Sequence, residues 1–442
     1  MKLRLLVLAT ALSAQIPDFK PATPMLEAAL RNDAAGVSKL LASGANPNTD
    51  RFFGFPVLTL AAVNSNTEMA KKLILAGADL EAPDANGNTA LMWAADPKLM
   101  ELLLSNGADI SAKNKFGETS LTMAIKRGDM QAADRLKTAG ASDATAIRAA
   151  VEKSIAALQK SGPQFVKVSG CSSCHHQSLP QMLTGAARKR GYAVDETVAA
   201  QQLKTVMAMF RPIREKLVDG SVTLPNPGIS VSYSLLGLEA EGHVPDETTH
   251  AMTLAIARTQ LADGSFAALP IRPPMEASAF TATALSIRAL RVYGKDVDDK
   301  IANARAWLIN AKPTTNEDKT MRLLGLVWSN APQADIDNAA DELLAAQRQD
   351  GGWAQLDGLE TDAYATGQAM VALQLAGKQT SHGVAYLLRT QLADGTWHVR
   401  TRSSPFQPLK DSGFPHGRDQ WISAAGTSWA GLALTLSQPE VD

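Results

Sequence analysis

Cys171-Ser172-Ser173-Cys174-His175-His176 concentrates more chemistry than any other stretch of this sequence, and it holds both cysteines of the chain. Two cysteines separated by two residues and followed at once by histidine have the spacing that holds a c-type haem. The sulfurs form thioethers with the vinyl groups and the adjacent imidazole ligates the iron. Cys171, Cys174 and His175 are thus candidate haem c ligands, with Met182, a distant histidine such as His243 or His250, or water in the sixth position. The same residues admit a redox-active disulfide between Cys171 and Cys174, or a zinc site built from both thiolates and one histidine. A haem here would imply an electron-transfer partner.

Two other places gather polar side chains where a pocket could form. Asp362 and Tyr364 stand at the start of a predicted inner helix. The long connection 402–421 carries Phe406, Phe414, His416, Arg418 and Trp421. Connections longer than about 12–15 residues in compact domains are often functional. Asp362, Tyr364, His416 and Arg418 are the catalytic candidates, with a sealing lid as the alternative for the long connection.

The elements that must position these residues are helical. With 442 residues the chain predicts two or three domains. Lys plus Arg number 43 against 44 Asp plus Glu, and no basic stripe breaks the balance, which speaks against nucleic acid or an anionic membrane as partner. Lys2 and Arg4, the apolar run 5–12 and the small residues 11–14 read as a signal peptide over 1–14, placing the mature protein in the periplasm or outside the cell. No later stretch reaches the roughly 18 uncharged apolar residues of a membrane span.

Residues 24–143 repeat. Gly44-Ala45-Asn46, Gly77-Ala78-Asp79, Gly107-Ala108-Asp109 and Gly140-Ala141-Ser142 recur, and Gly87-Asn88-Thr89-Ala90-Leu91 aligns with Gly117-Glu118-Thr119-Ser120-Leu121. Each unit carries paired apolar positions at helical spacing, so no unit buries its face alone and neighbours must stack. The second-to-third interval is shorter than the others near Asp96-Pro97, which predicts a clipped helix there. This stretch resembles the ankyrin repeat, and the resemblance implies a protein partner.

From residue 149 the pattern changes to helices of 12–16 residues joined by Gly-, Pro- and Asp-containing loops. Residues 149–220 hold the Cys-x-x-Cys-His-His motif and further helices; residues 221–438 carry a second repeat. Gln260…Gly264-Ser265-Phe266, Gln347…Gly351-Gly352-Trp353 and Gln391…Gly395-Thr396-Trp397 share the pattern Gln-x-x-x-Gly-x-aromatic. A helix opening with small and hydroxyl residues follows each, at Thr283, Thr366 and Thr427. These loops resemble the QW repeat of squalene–hopene cyclases and related prenyltransferase-like toroids. That resemblance implies an all-α chain in which an ankyrin solenoid precedes an α/α toroid, with the Gln capping a neighbouring helix and the aromatic ring stacked over it.

The chemistry of those enzymes is less well represented. Asp296-Val297-Asp298-Asp299 matches their Asp-x-Asp-Asp pattern, but the acids open a predicted outer helix, where the helix dipole favours them. Aromatic residues, which would wall a carbocation cavity, make up only 5% of the chain. The sequence therefore predicts an exported redox or binding protein with haem c. The alternatives are a terpenoid cyclase-like enzyme acting on an apolar substrate, or a scaffold with a Cys171–Cys174 disulfide.

Overall fold

A computed structural model describes residues 23–170, 172–404 and 410–441. The predicted signal segment 1–14, Cys171 and Phe406 lie outside the described residues. The chain divides into two compact units, Met1–Ala146 and Ile147–Asp442. Both are helical; among the described residues the only paired strands are β1 (Arg51–Phe52) and β2 (Phe55–Pro56).

The first unit stacks four helix pairs: α1 (Pro24–Leu30) with α2 (Ala34–Ala42), α3 (Val57–Val63) with α4 (Thr67–Leu75), α5 (Ala90–Trp93) with α6 (Pro97–Ser105), and α7 (Ser120–Lys126) with α8 (Met130–Thr138). Asp33, Asn66, Asp96 and Asp129 stand before the second helix of each pair, and each side chain accepts a backbone N–H of the first turn. The predicted clipping falls on α5, which has 4 residues where α3 and α7 have 7. Asp96 and Pro97 start α6 immediately afterwards, so the missing turn comes from the first helix of that pair.

In the second unit α9 (Ala144–Ser169) leads through a π-turn at Cys174–Ser178 into α10 (Leu179–Arg188). Then follow α11 (Glu196–Phe210), α12 (Arg214–Asp219), α13 (Pro227–Ala240), α14 (Glu247–Ala257), α15 (Ala279–Tyr293), α16 (Asp298–Asn310), α17 (Asn316–Trp328), α18 (Gln333–Ala345), α19 (Ala363–Leu375), α20 (Ser381–Thr390) and α21 (Gln420–Leu436). Helices α10, α13, α15, α17, α19 and α21 each pack against the next, and α21 packs back on α10, closing an inner ring. Of these, α13, α15, α19 and α21 are apolar nearly all round, as helices buried on every side must be.

The Gln-x-x-x-Gly-x-aromatic loops tie the outer helices together. Gln260 Nε2 donates to the carbonyl of Lys300 on α16 (2.8 Å), and Gln391 Nε2 to that of Ala150 on α9 (2.9 Å). Gln347 instead bonds the carbonyl of Gly351 in its own loop. The backbone N–H of Phe266, Trp353 and Trp397 donates to Thr283, Thr366 and Thr427 Oγ1 respectively, which fixes each loop to the inner helix that follows. The third loop therefore joins the end of the ring to its beginning. Asp298 and Asp299 occupy the first turn of outer helix α16, where the dipole favours them.

Candidate functional site

The end of the ring where the inner helices begin collects the polar side chains. Ser173 caps the π-turn, its Oγ accepting from the N–H of His176 (3.1 Å). Gln177, fully buried, accepts from the N–H of Ser173 and donates to the carbonyl of Gly162 on α9. These bonds turn His175 and His176 inward, where they are 3% and 1% exposed. Their Nδ1 atoms hydrogen-bond each other, and His176 Nε2 pairs with Ser412 Oγ (2.8 Å). Burial lowers both imidazoles, His175 well below its ordinary range, with His176 beside it, and His176 to about 3. Burial likewise pushes the Cys174 thiol up to about 12, so it is an un-ionised thiol at neutral pH.

This packing does not fit a haem. The His175 ring is hemmed in by Phe165 (5.3 Å between centroids), His176 (4.7 Å) and Trp421 (5.9 Å), and His176 stacks on Phe165 at 4.6 Å. A macrocycle seated on His175 would have to fit among these rings. The sixth-ligand candidates are also elsewhere. Met182 lines a cavity of about 620 Å³ at the opposite end of the ring, among Leu236, Val371 and Leu432. His243 follows the far end of α13 and faces Asp246 at 3.3 Å. Sequence spacing could not reveal that α10 and α13 carry these residues away from the motif. Among the described residues no group of three or more His, Cys, Asp or Glu could hold a metal ion. An absorption spectrum and intact mass of protein made with working cytochrome c maturation are expected to show no Soret band and no added haem. A Soret band lost in the Cys171→Ala/Cys174→Ala variant would reinstate the haem.

Two of the four catalytic candidates join this end of the ring. Asp362 caps α19, accepting from Ala365 N–H (2.9 Å) and Gln355 Nε2 (3.0 Å), and burial raises its carboxyl to about 6. Tyr364, 0% exposed, points its hydroxyl at Glu317 Oε1 (3.4 Å). His416 instead stacks on His398 and bonds Thr396, and Arg418 is exposed in a short 3-10 turn.

Glu317 is the residue that sequence reasoning missed. It opens α17 and is 5% exposed, and its Oε1 accepts from Thr281 Oγ1 (3.2 Å), Tyr364 and Gln368 Nε2 (3.3 Å). Burial raises its carboxyl to about 8, so it is mainly protonated at neutral pH. It stands in Asn316-Glu317-Asp318-Lys319, where an acid reads as an ordinary first-turn charge, so nothing local marked it.

The first unit carries a different kind of site. Fingers project between helix pairs, and their tips touch: Arg51 Nη1 donates to the carbonyl of Pro83 (2.6 Å), and the N–H of Lys115 to that of Asn86 (2.9 Å). Asp84 pins the middle finger, accepting from Asn86 N–H, Asn88 N–H and Nδ2, and Trp93 Nε1. Phe53 and Phe116 stand on this ridge 69% and 70% exposed, beside the exposed cations of Arg51, Lys113 and Lys115.

Ankyrin-repeat sequence models match this unit, a three-copy array over residues 25–114 and a many-copy array over 94–136. The first unit is an ankyrin-repeat array. It is 36% identical over 123 residues to neurogenic locus notch homolog protein 1 of Xenopus laevis, and 33% identical over 127 residues to palmitoyltransferase AKR1 of Lachancea kluyveri. Each alignment takes in 27% of this chain, and 5% and 17% of those proteins respectively. The chain thus spans a small fraction of these relatives, and the likeness is confined to the repeats. Ankyrin repeats support a protein-interaction role for this unit. No described helix is long and apolar enough to cross a membrane.

Proposed function

We propose that the ankyrin array captures an acidic protein segment bearing apolar side chains, and that the helical ring is the module brought to that partner. The observation that carries this reading is Phe53. Residues Phe53 and Gly54 are the two-residue loop between β1 and β2, and both have positive φ, +46° and +87°. Such a turn favours Asn-Gly, and a bulky side chain at positive φ is strained by about 1–2 kcal/mol. The ring touches Phe52 edge-on (4.7 Å between centroids) but is 69% exposed, so the residue strains the turn and adds little to the core. Strain and exposure together mark a residue kept for contact. The cations beside it supply the charge preference, and Phe116 supplies a second anchor. If the segment 1–14 directs export, the partner is met outside the cytoplasm.

Phe53→Asn separates the two roles. It is expected to raise stability by about 1 kcal/mol through relief of the turn. In a peptide-display selection on the full chain, wild type should enrich acidic sequences with apolar residues. The Phe53→Asn/Phe116→Ser variant should lose that enrichment about tenfold. Equal enrichment by wild type and variant, or a preference for basic peptides, would contradict the proposal.

A further inference from the structure

Five segments of the ring send polar side chains to one point near its axis. Tyr233 comes from α13, Thr281 from α15, Glu317 from α17, Tyr364 and Gln368 from α19, and Cys174 from the π-turn beside both tyrosines. Leucine or phenylalanine at these places would fill a core at lower cost, because buried polar groups lose their hydration. The bonds among them are long, 3.2–3.4 Å, and do not recover that loss in full.

Two O–H groups at this point are not committed to the protein. The Tyr233 hydroxyl is completely buried and lies beside Tyr364 without a hydrogen bond of normal geometry. All three bonds to the Glu317 carboxyl end on Oε1, and Oε2 makes none among the described residues. The carboxyl proton therefore sits on the oxygen that no protein group engages. Cys174, beside both tyrosines, is intermediate in exposure.

We propose that this point binds the oxygen of a small, uncharged carbonyl ligand, with Glu317 and Tyr233 as its hydrogen-bond donors. A dry set of neutral, preorganised donors stabilises negative charge developing on that oxygen. The neighbouring thiol stays uncharged and brings no competing anion. Gln368, Thr281 and Tyr364 are positioning residues: all three hold Glu317 through Oε1, which leaves Oε2–H to point at the ligand.

The test uses 4-nitrophenol, whose anion resembles a carbonyl oxygen carrying charge and whose absorbance reports its ionisation, on the full chain. Wild type should bind it saturably and shift it toward the phenolate, whereas 4-nitroanisole, which lacks the hydroxyl, should bind at least about tenfold more weakly. Glu317→Gln and Tyr233→Phe should each weaken 4-nitrophenol about tenfold while retaining the wild-type circular dichroism spectrum. Absence of saturable binding by wild type at millimolar concentrations would overturn the proposal. So would folded variants that bind as wild type does. Should both variants fail to fold, the wild-type preference for 4-nitrophenol over 4-nitroanisole decides, and equal binding of the two overturns it.

Discussion

Gly395→Ala is expected to open the helical ring. Gly395 has φ +85°, and a Cβ there would lie 2.5 Å from Lys153 Cβ and 2.7 Å from its carbonyl carbon on α9. Positive φ costs an alanine about 1–2 kcal/mol, and forcing an atom into a packed contact typically costs a further ~1–3 kcal/mol. The same loop seats Trp397, 2% exposed, whose Nε1 donates to the carbonyl of Leu387 (3.1 Å). Trp397→Ala should accordingly cost about 3–5 kcal/mol. Gly413→Ala is the control: its φ is +72°, but a Cβ there meets nothing within 4 Å, so only the backbone term remains. Denaturant midpoints of the three variants measure the difference. If Gly395→Ala and Gly413→Ala are equally stable, the contact with α9 does not hold the ring closed.

Stability is expected to peak near pH 6.5, and one buried carboxyl sets the alkaline side. Glu317 rises from the 4.5 of a free glutamate to about 8 on folding. A raised acid binds its proton more tightly in the folded state, so its contribution is complete below pH 4.5 and is lost as pH climbs to 8. At 1.36 kcal/mol per unit the total loss is on the order of 5 kcal/mol. His175 and His176 act in the opposite sense. Burial holds both imidazoles neutral, so their contribution is complete above pH 6.5 and is lost on acidification, for His176 down to about pH 3. Asp362, raised to about 6, and Glu317 both oppose the histidines at mildly acidic pH, so the profile is shallow between about pH 4.5 and 6. Urea titrations from pH 4 to 9 should trace this profile. Glu317→Gln should flatten the limb between pH 6.5 and 8 and steepen the rise between pH 4.5 and 6.5. An unchanged alkaline limb would show that Glu317 ionises in the folded protein at an ordinary pH.

What could be read along the chain was whatever repeats or caps locally. The Gly-Ala-Asp intervals placed four stacked helix pairs, and the short interval at Asp96-Pro97 located the clipped helix α5, because a helix pair needs a set number of residues to span the stack. The Gln-x-x-x-Gly-x-aromatic loops marked helix junctions for a similar reason. Glycine is required where the backbone has positive φ and another helix lies against it, and that requirement is visible in one dimension. All-helical architecture follows from these patterns alone. Tertiary structure decided the chemistry. Cys174, Tyr233, Thr281, Glu317 and Tyr364 lie as much as 190 positions apart and share no local period, so only closure of the ring brings them together. Likewise, Cys-x-x-Cys-His spacing says which atoms could reach a haem, but whether His175 faces open space or the rings of Phe165 and Trp421 depends on residues distant in sequence. Spacing along a chain specifies local geometry; burial, which sets both the pKa of Glu317 and the access to His175, is a property of everything packed around it.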